Sequence, residues 1–83
     1  MYEIIFSRKA KKQLFKLERT IQERIIFALE RIRIRPEDYL TKLIADPGYK
    51  LRVGDYRVIM DIDKTNLLVL VIKIGHRKDI YKK

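Results

Sequence analysis

The chain has no cysteine, which excludes a disulfide framework and a thiolate zinc site and fits a reducing compartment. Its three glycines stand alone at positions 48, 54 and 75, so no glycine-rich loop is available to cradle a phosphate. The one serine, Ser7, precedes a helical pattern and reads as a cap, not as a nucleophile. A single histidine, His76, cannot build a His-rich metal site. No apolar run approaches the roughly 20 residues that span a bilayer. The longest, Leu67 to Ile72, is of strand length. The opening "MYEIIFSRKAKK" carries its charge after its short apolar run, the reverse of a signal peptide. There is no internal repeat, low-complexity tract or linker. The expectation is one domain over residues 1–83, cytoplasmic, with no membrane association and no cofactor.

What is abundant is positive charge. Twenty Lys and Arg against eleven Asp and Glu give a net +9 in 83 residues. Residues 1–35 contribute a balance of +6 and residues 36–83 a balance of +3. Such a field attracts polyanions: nucleic acid, an acidic membrane surface or an acidic protein. Nearly half the residues are hydrophobic, which excludes a disordered basic tail. A chain this short buries only roughly 60% of its unfolded surface, so its core must be efficient.

The hydrophobic periodicity sets the order of elements. "YEIIF", Tyr2 to Phe6, reads as a strand. Ala10, Leu14 and Leu17 then recur at helical spacing, predicting a helix from Arg8 to Glu18 capped by Ser7. "TIQE", Thr20 to Glu23, matches a capping box. The helix it opens carries an apolar stripe of Ile21, Ile25, Ala28, Leu29 and Ile32 and ends near Arg35, before Pro36. The short joint between the two predicts an antiparallel helix hairpin. Residues 36–49 read as a connector in which "LTKLIAD" forms a short turn of structure. "KLRV", Gly54-Asp55 and "YRVIMDID" read as a hairpin. Tyr56, Val58, Met60 and Ile62 share one side of its second strand, and Arg57, Ile59, Asp61 and Asp63 the other. "LLVLVIKI" is nearly all apolar, as in a central strand covered on both faces. The prediction is an α+β fold of order β-α-α-β-β-β. A three-strand antiparallel meander carries the helix pair on one face, and the first strand pairs with a meander edge or with the last strand.

Functional chemistry concentrates on the meander and on the C-terminal segment after it. Lys50 and Arg52 lie two apart in an extended segment and share a face. Arg57 comes within cross-strand reach of them in a tight hairpin. Arg77 and Tyr81 come after the last strand and can fold back over that face. Arginine offers phosphate a planar, permanently charged fork. Several cations around a phosphodiester stabilise a pentacoordinate transition state. Tyrosine stacks on bases, but with a pKa of about 10 it needs neighbouring cations to act as a base. Histidine as a residue type titrates near neutrality, so His76 is a further candidate proton carrier. Strand alternation, however, aims it away from Arg77 and leaves a structural or partner-binding role open. Asp61 and Asp63 share a strand face and could hold a divalent cation; solvent-facing polar alternation explains them without one.

"YKLRVGDYRVIMDID" followed by "VLVIKIGHRKDIYKK" resembles the RelE/ParE toxin superfamily of toxin–antitoxin systems. That family shows a basic pair, a short turn, a YR(V/L) strand, a hydrophobic strand, then GxR and a tyrosine. "YEIIFSRKAKKQLFKL" resembles its first strand and helix. The resemblance implies a RelE-like, microbial-ribonuclease-type fold. In the RelE-like branch it implies a metal-independent endoribonuclease that cleaves mRNA in the ribosomal A site, the 2′-OH attacking the adjacent phosphate. By position, Lys50 and Arg52 match the basic pair that serves as base or transition-state support. Arg57 matches the strand arginine on the phosphate, Arg77 the post-strand arginine, and Tyr81 the nucleotide-facing tyrosine. Lys78 joins Lys50 and Arg52 as a substrate-contacting cation. Two departures from the pattern are a guanidinium at Arg52, where many members have lysine, and a short Arg77–Tyr81 segment. The family also implies an acidic, RelB-like antitoxin in a hetero-oligomer, with Ile26, Phe27 and Ile34 as candidate contacts. The alternatives are a ParE-like gyrase-poisoning toxin and a non-catalytic basic RNA-binding module.

Overall fold

The computed structural model describes residues 1–43 and 48–80. Its elements run β1 (Glu3–Phe6), α1 (Arg8–Phe15), α2 (Arg19–Ile32), a 3₁₀ turn (Pro36–Asp38), β2 (Thr41–Lys42), β3 (Tyr49–Val53), β4 (Tyr56–Asp63) and β5 (Leu68–His76). The strands form one five-stranded sheet in the order β1-β5-β4-β3-β2. β3, β4 and β5 make the expected antiparallel meander. The first strand pairs with the last, and the pairing is parallel, so the sheet is mixed.

Both helices pack on one sheet face. Ala10 and Leu14 of α1 and Ile25, Leu29 and Ile32 of α2 are buried there against Leu51, Val53, Val58, Met60, Val69, Val71 and Ile74. The stripes and the β4 alternation read from the sequence are the ones that build this core. α1 also seals the sheet. β1 ends opposite Val71, leaving the rest of β5 without a strand on that side. Ser7 caps α1 by accepting from Ala10 N at 3.0 Å and donates its hydroxyl to the Ile72 carbonyl at 2.9 Å. Gln13 Oε1 accepts from Ile74 N at 2.7 Å. Two α1-side polar groups thus replace the missing strand, because unpaired buried backbone groups are costly.

Four local expectations need correction. α1 stops at Phe15, short of Glu18, where the backbone tightens to Lys16 N–Gln13 O and Leu17 N–Leu14 O bonds at 3.3 and 3.1 Å. α2 begins at Arg19 with Glu18 as its N-cap and no side-chain cap, so Thr20 lies inside the first turn and "TIQE" is not a capping box. Gln22 instead reaches back, donating to the Leu17 carbonyl at 2.7 Å and closing the joint from the other side. The connector contains a fifth strand, the two-residue β2, paired with β3 at the sheet edge; residues 44–47, which include the end of "LTKLIAD", lie outside the described residues. Finally, β5 is central but not apolar on both faces throughout. Its register slips against β4, Ile59 pairing with Lys73 and Met60 with Val71. Ile72 is the extra residue of this bulge and is 41% exposed.

Candidate active site on the open face of the sheet

The face away from the helices carries the charge. Leu51 and Val53 are buried beneath the helices, so Lys50 and Arg52 project to the open side. Arg57 and Ile59 do the same on β4, since Val58 and Met60 are in the core. Past the bulge the parity of β5 inverts: Ile74 is buried, which turns Lys73 and Gly75 outward. The register then sets two transverse rows, Arg52–Arg57–Gly75 and Lys50–Ile59–Lys73. With strands about 4.8 Å apart, these four cations occupy a patch roughly 10 Å wide. Lys73 is a member that the sequence reading missed. Simple alternation from Val69 and Val71 sends it into the core, and only the bulge brings it out.

The hairpin turn organises one end of the patch. Gly54 takes a φ of 59°, which lets two residues join Val53 to Tyr56. Arg57 Nη1 donates to the Gly54 and Tyr56 carbonyls, both at 2.9 Å. The guanidinium is thereby held at the turn. Its other three N–H donors make no hydrogen bond to described residues and remain for a ligand. Arg77 is tied to the same turn, its backbone N donating to the Asp55 carbonyl at 2.8 Å. Its Nε lies 3.8 Å from Asp55 Oδ1 in a solvated pair that is easily exchanged for another anion.

The C-terminal segment does fold back. Asp79 N and Ile80 N both donate to the His76 carbonyl, at 2.8 and 2.9 Å. Ile80 is 5% exposed and sits over Gly75, where a Cβ would meet its Cδ1 at 3.1 Å. Lys73 Nζ donates to the Ile80 carbonyl at 2.9 Å, so that lysine also anchors the turn. Lys78 is exposed on this turn beside Arg77. Tyr81 lies outside the described residues.

His76 is not brought to the cations. It pairs with Tyr56 on the helix-covered side, the rings edge to face with centroids 5.5 Å apart. Its Nδ1 accepts from Lys78 N at 3.1 Å, which makes it a brace for the C-terminal turn. Asp63 has a local role too. Its carboxylate accepts from Thr65 N and Asn66 N at 3.0 Å and from Asn66 Nδ2 at 2.8 Å, and these hydrogen bonds hold it below the ordinary carboxylate range. Asp61 stays exposed, and among the described residues no cluster of three or more His, Cys, Asp or Glu is placed to hold a metal ion.

A depression of about 340 Å³ opens beside the cations, lined by Tyr39, Thr41, Lys50, Leu51, Arg52 and Arg57. It is small, open and basic, and suits one phosphorylated unit of a polyanion.

A helix pair on one face of a mixed five-stranded sheet, with cations gathered on the other, defines a small basic α+β protein. Residues 4–81 match the family described as ParE toxin of type II toxin-antitoxin system, parDE. The chain belongs to that family, within the RelE/ParE superfamily, and is a toxin of a type II toxin–antitoxin system. Solved structures agree. The toxin–antitoxin complex RelBE2 of Mycobacterium tuberculosis shares 26% identity over 92% of this chain and 98% of that chain, with a TM-score of 0.83. The intact E. coli RelBE complex shares 30% identity over 92% and 96%, with a TM-score of 0.78. A mutant of the E. coli toxin RelE in the free state shares 28% identity over 95% and 86%, also with a TM-score of 0.78. No curated protein sequence gives a significant match.

Proposed function

We propose that this chain is a RelE-like, metal-independent endoribonuclease that cuts mRNA in the ribosomal A site and halts translation, with residues 1–83 as one toxin domain. The observation that carries this reading is the convergence of Lys50, Arg52 and Arg57 on one depression, with Arg77 tied to the adjoining turn. In the reaction a ribose 2′-OH attacks the neighbouring phosphorus. The bond to the 5′ oxygen breaks, leaving a 2′,3′-cyclic phosphate and a 5′-hydroxyl. Arg57 and Arg77 stabilise the charge that builds on the phosphoryl oxygens, each through a planar fork of donors. Proton transfer then falls to an amine, and Lys50 is the lysine that lines the depression. Lys78 and Arg52 hold flanking phosphates. Tyr81 stacks on the nucleotide, and His76 braces the turn that delivers Arg77.

The same reading supplies a partner. Neighbouring structures were solved as RelB–RelE complexes, and a +9 chain is matched by an acidic antitoxin. Phe27 is 68% exposed on α2, Ile26 and Ile34 are exposed as well, and these residues offer the antitoxin apolar anchors. No helix among the described residues is long and apolar enough to cross a membrane, and a cytoplasmic site of action is part of the proposal.

The test is translation in vitro with mapping of mRNA 5′ ends, wild type against Arg57→Ala/Arg77→Ala. Cleavage within codons that disappears in the double variant supports the assignment; full-rate cleavage by that variant refutes it. The match to the ParE family favours one second reading, poisoning of DNA gyrase. That reading predicts trapped gyrase–DNA breaks with mRNA intact.

A further inference from the structure

We infer that Tyr39 is a nucleobase-stacking platform for the cation site, a subsite for a single-stranded RNA base next to the phosphate held by Arg57. The inference rests on the reading of the open face as the RNA-binding face, and it adds a residue to which neither charge nor spacing drew attention.

Tyr39 is positioned, not merely exposed. Pro36 is fully buried and starts the 3₁₀ turn. Tyr39 N and Leu40 N both donate to the Pro36 carbonyl at 3.1 Å, which fixes the backbone where the ring emerges. Two residues later Thr41 pairs with Lys50 in the sheet, locking that backbone to the strand that carries the basic pair. The two-residue β2 therefore has a use beyond edge protection. It sets the distance between an aromatic wall and the cations.

The ring is backed on one side and available on another. The Arg31 guanidinium carbon lies 5.6 Å from its centroid, a cation–π contact. Arg31 lies outside the depression, whereas Tyr39 is one of its walls, facing Lys50, Arg52 and Arg57. Tyr39 is 48% exposed, so it is open to a ligand. An aromatic wall beside a row of cations is the arrangement that holds single-stranded nucleic acid, the ring taking a base while cations follow the backbone.

The test uses the full chain and two readouts. The first is mRNA cleavage in translation in vitro. The second is fluorescence of an uncleavable 2′-O-methyl trinucleotide carrying 2-aminopurine, which is quenched when the base stacks. Tyr39→Phe keeps the ring and should keep both signals. Tyr39→Ala should lose the quench and weaken cleavage roughly tenfold or more, with unfolding monitored to show that the half-exposed position leaves the fold intact. If wild type and Tyr39→Phe quench the probe, Tyr39→Ala does not, and no protein cleaves mRNA, the stacking subsite stands and the ribonuclease reading falls. If Tyr39→Ala matches wild type in quench and cleavage, or if no variant quenches the probe, the subsite is overturned.

Discussion

Arg52 and Arg57 stand directly opposite each other across the β3–β4 ladder. Like charges in this position destabilise a sheet by a few tenths to about 1 kcal/mol, and Gly75 on the next strand offers no acid to relieve them. The fold tolerates this conflict at the place where an anion is expected to bind. Arg52→Thr should therefore raise the urea midpoint slightly while weakening RNA cleavage. Added salt should stabilise wild type more than the variant, since screening removes the same repulsion. A variant that is both less stable and less active would point to a structural role for Arg52 instead.

Arg57 acts through a fork that is already half used. Two carbonyls hold Nη1, so the lost function should not return in Arg57→Lys, whose single ammonium cannot bind the turn and a phosphate in the same geometry. Cleavage is expected to fall by about 100-fold or more in Arg57→Ala, the range seen when one preorganised donor is removed from a transition state. Single-turnover rates on programmed ribosomes measure this directly.

Beside its hydrogen bonds, the C-terminal turn is seated by a contact between a glycine and an isoleucine. Gly75→Ala puts a methyl group where Ile80 Cδ1 now lies 3.1 Å away. Ile80→Ala removes the buried group itself, at a cost of about 2 kcal/mol. Both should release residues 77–80 and loosen Arg77. The expected signature is faster amide exchange at Ile80 together with lower cleavage, while exchange in the buried core of β4 stays slow.

Asp63 gives the fold an acid-sensitive turn. Its hydrogen bonds to Asn66 and Thr65 hold the carboxyl below its ordinary value of 3.8. A depressed pKa in the folded state adds stability that is fully present above the ordinary value and is lost as pH falls through the lowered one. The stability gap between wild type and Asp63→Ala should be constant from neutrality to about pH 5 and should narrow below about pH 4. Urea unfolding at a series of pH values tests this, and a gap independent of pH would remove Asp63 from the account.

The next residue with a conformational burden is Leu67, whose φ is 56°. A left-handed leucine costs about 1 kcal/mol or more, and its carbonyl is held there by Glu3 N at 2.9 Å, which joins the β4–β5 turn to β1. Leu67→Asn should raise the melting temperature and Leu67→Val should lower it, because a β-branched side chain suits this conformation least.

Much of this architecture is written in residue periodicity. The Ala10–Leu14 stripe, the Ile25–Leu29–Ile32 stripe and the alternation of Tyr56 through Ile62 each repeat often enough to define a buried face. So does the placement of Lys50, Arg52 and Arg57 on a common surface, which needs only strand parity and a two-residue turn. What stayed hidden depends on events that occur once. Gln22 can cap the preceding helix only after that helix has ended at Phe15, so "TIQE" looked like a start signal. β2 is too short to have a period. Lys73 changes face because of a single unpaired residue, and Tyr39 reaches the site through a turn set by Pro36. None of these is a repeating pattern along the chain; each is fixed by a single contact, some as local as Gln22 with Leu17 or Tyr39 with Pro36.

The bulge at Ile72 leaves β5 one residue longer than its ladder with β4 requires. Val71 stands opposite Met60 and Lys73 opposite Ile59, so the residue between them is surplus to that pairing. Its carbonyl accepts instead from Ser7 Oγ, at the start of α1. Removing Ile72 would keep Lys73 outside and Ile74 in the core, and the loss would fall on the fastening of α1 to the sheet. The spare residue works as a dovetail: what the ladder does not use is what joins the helix to it.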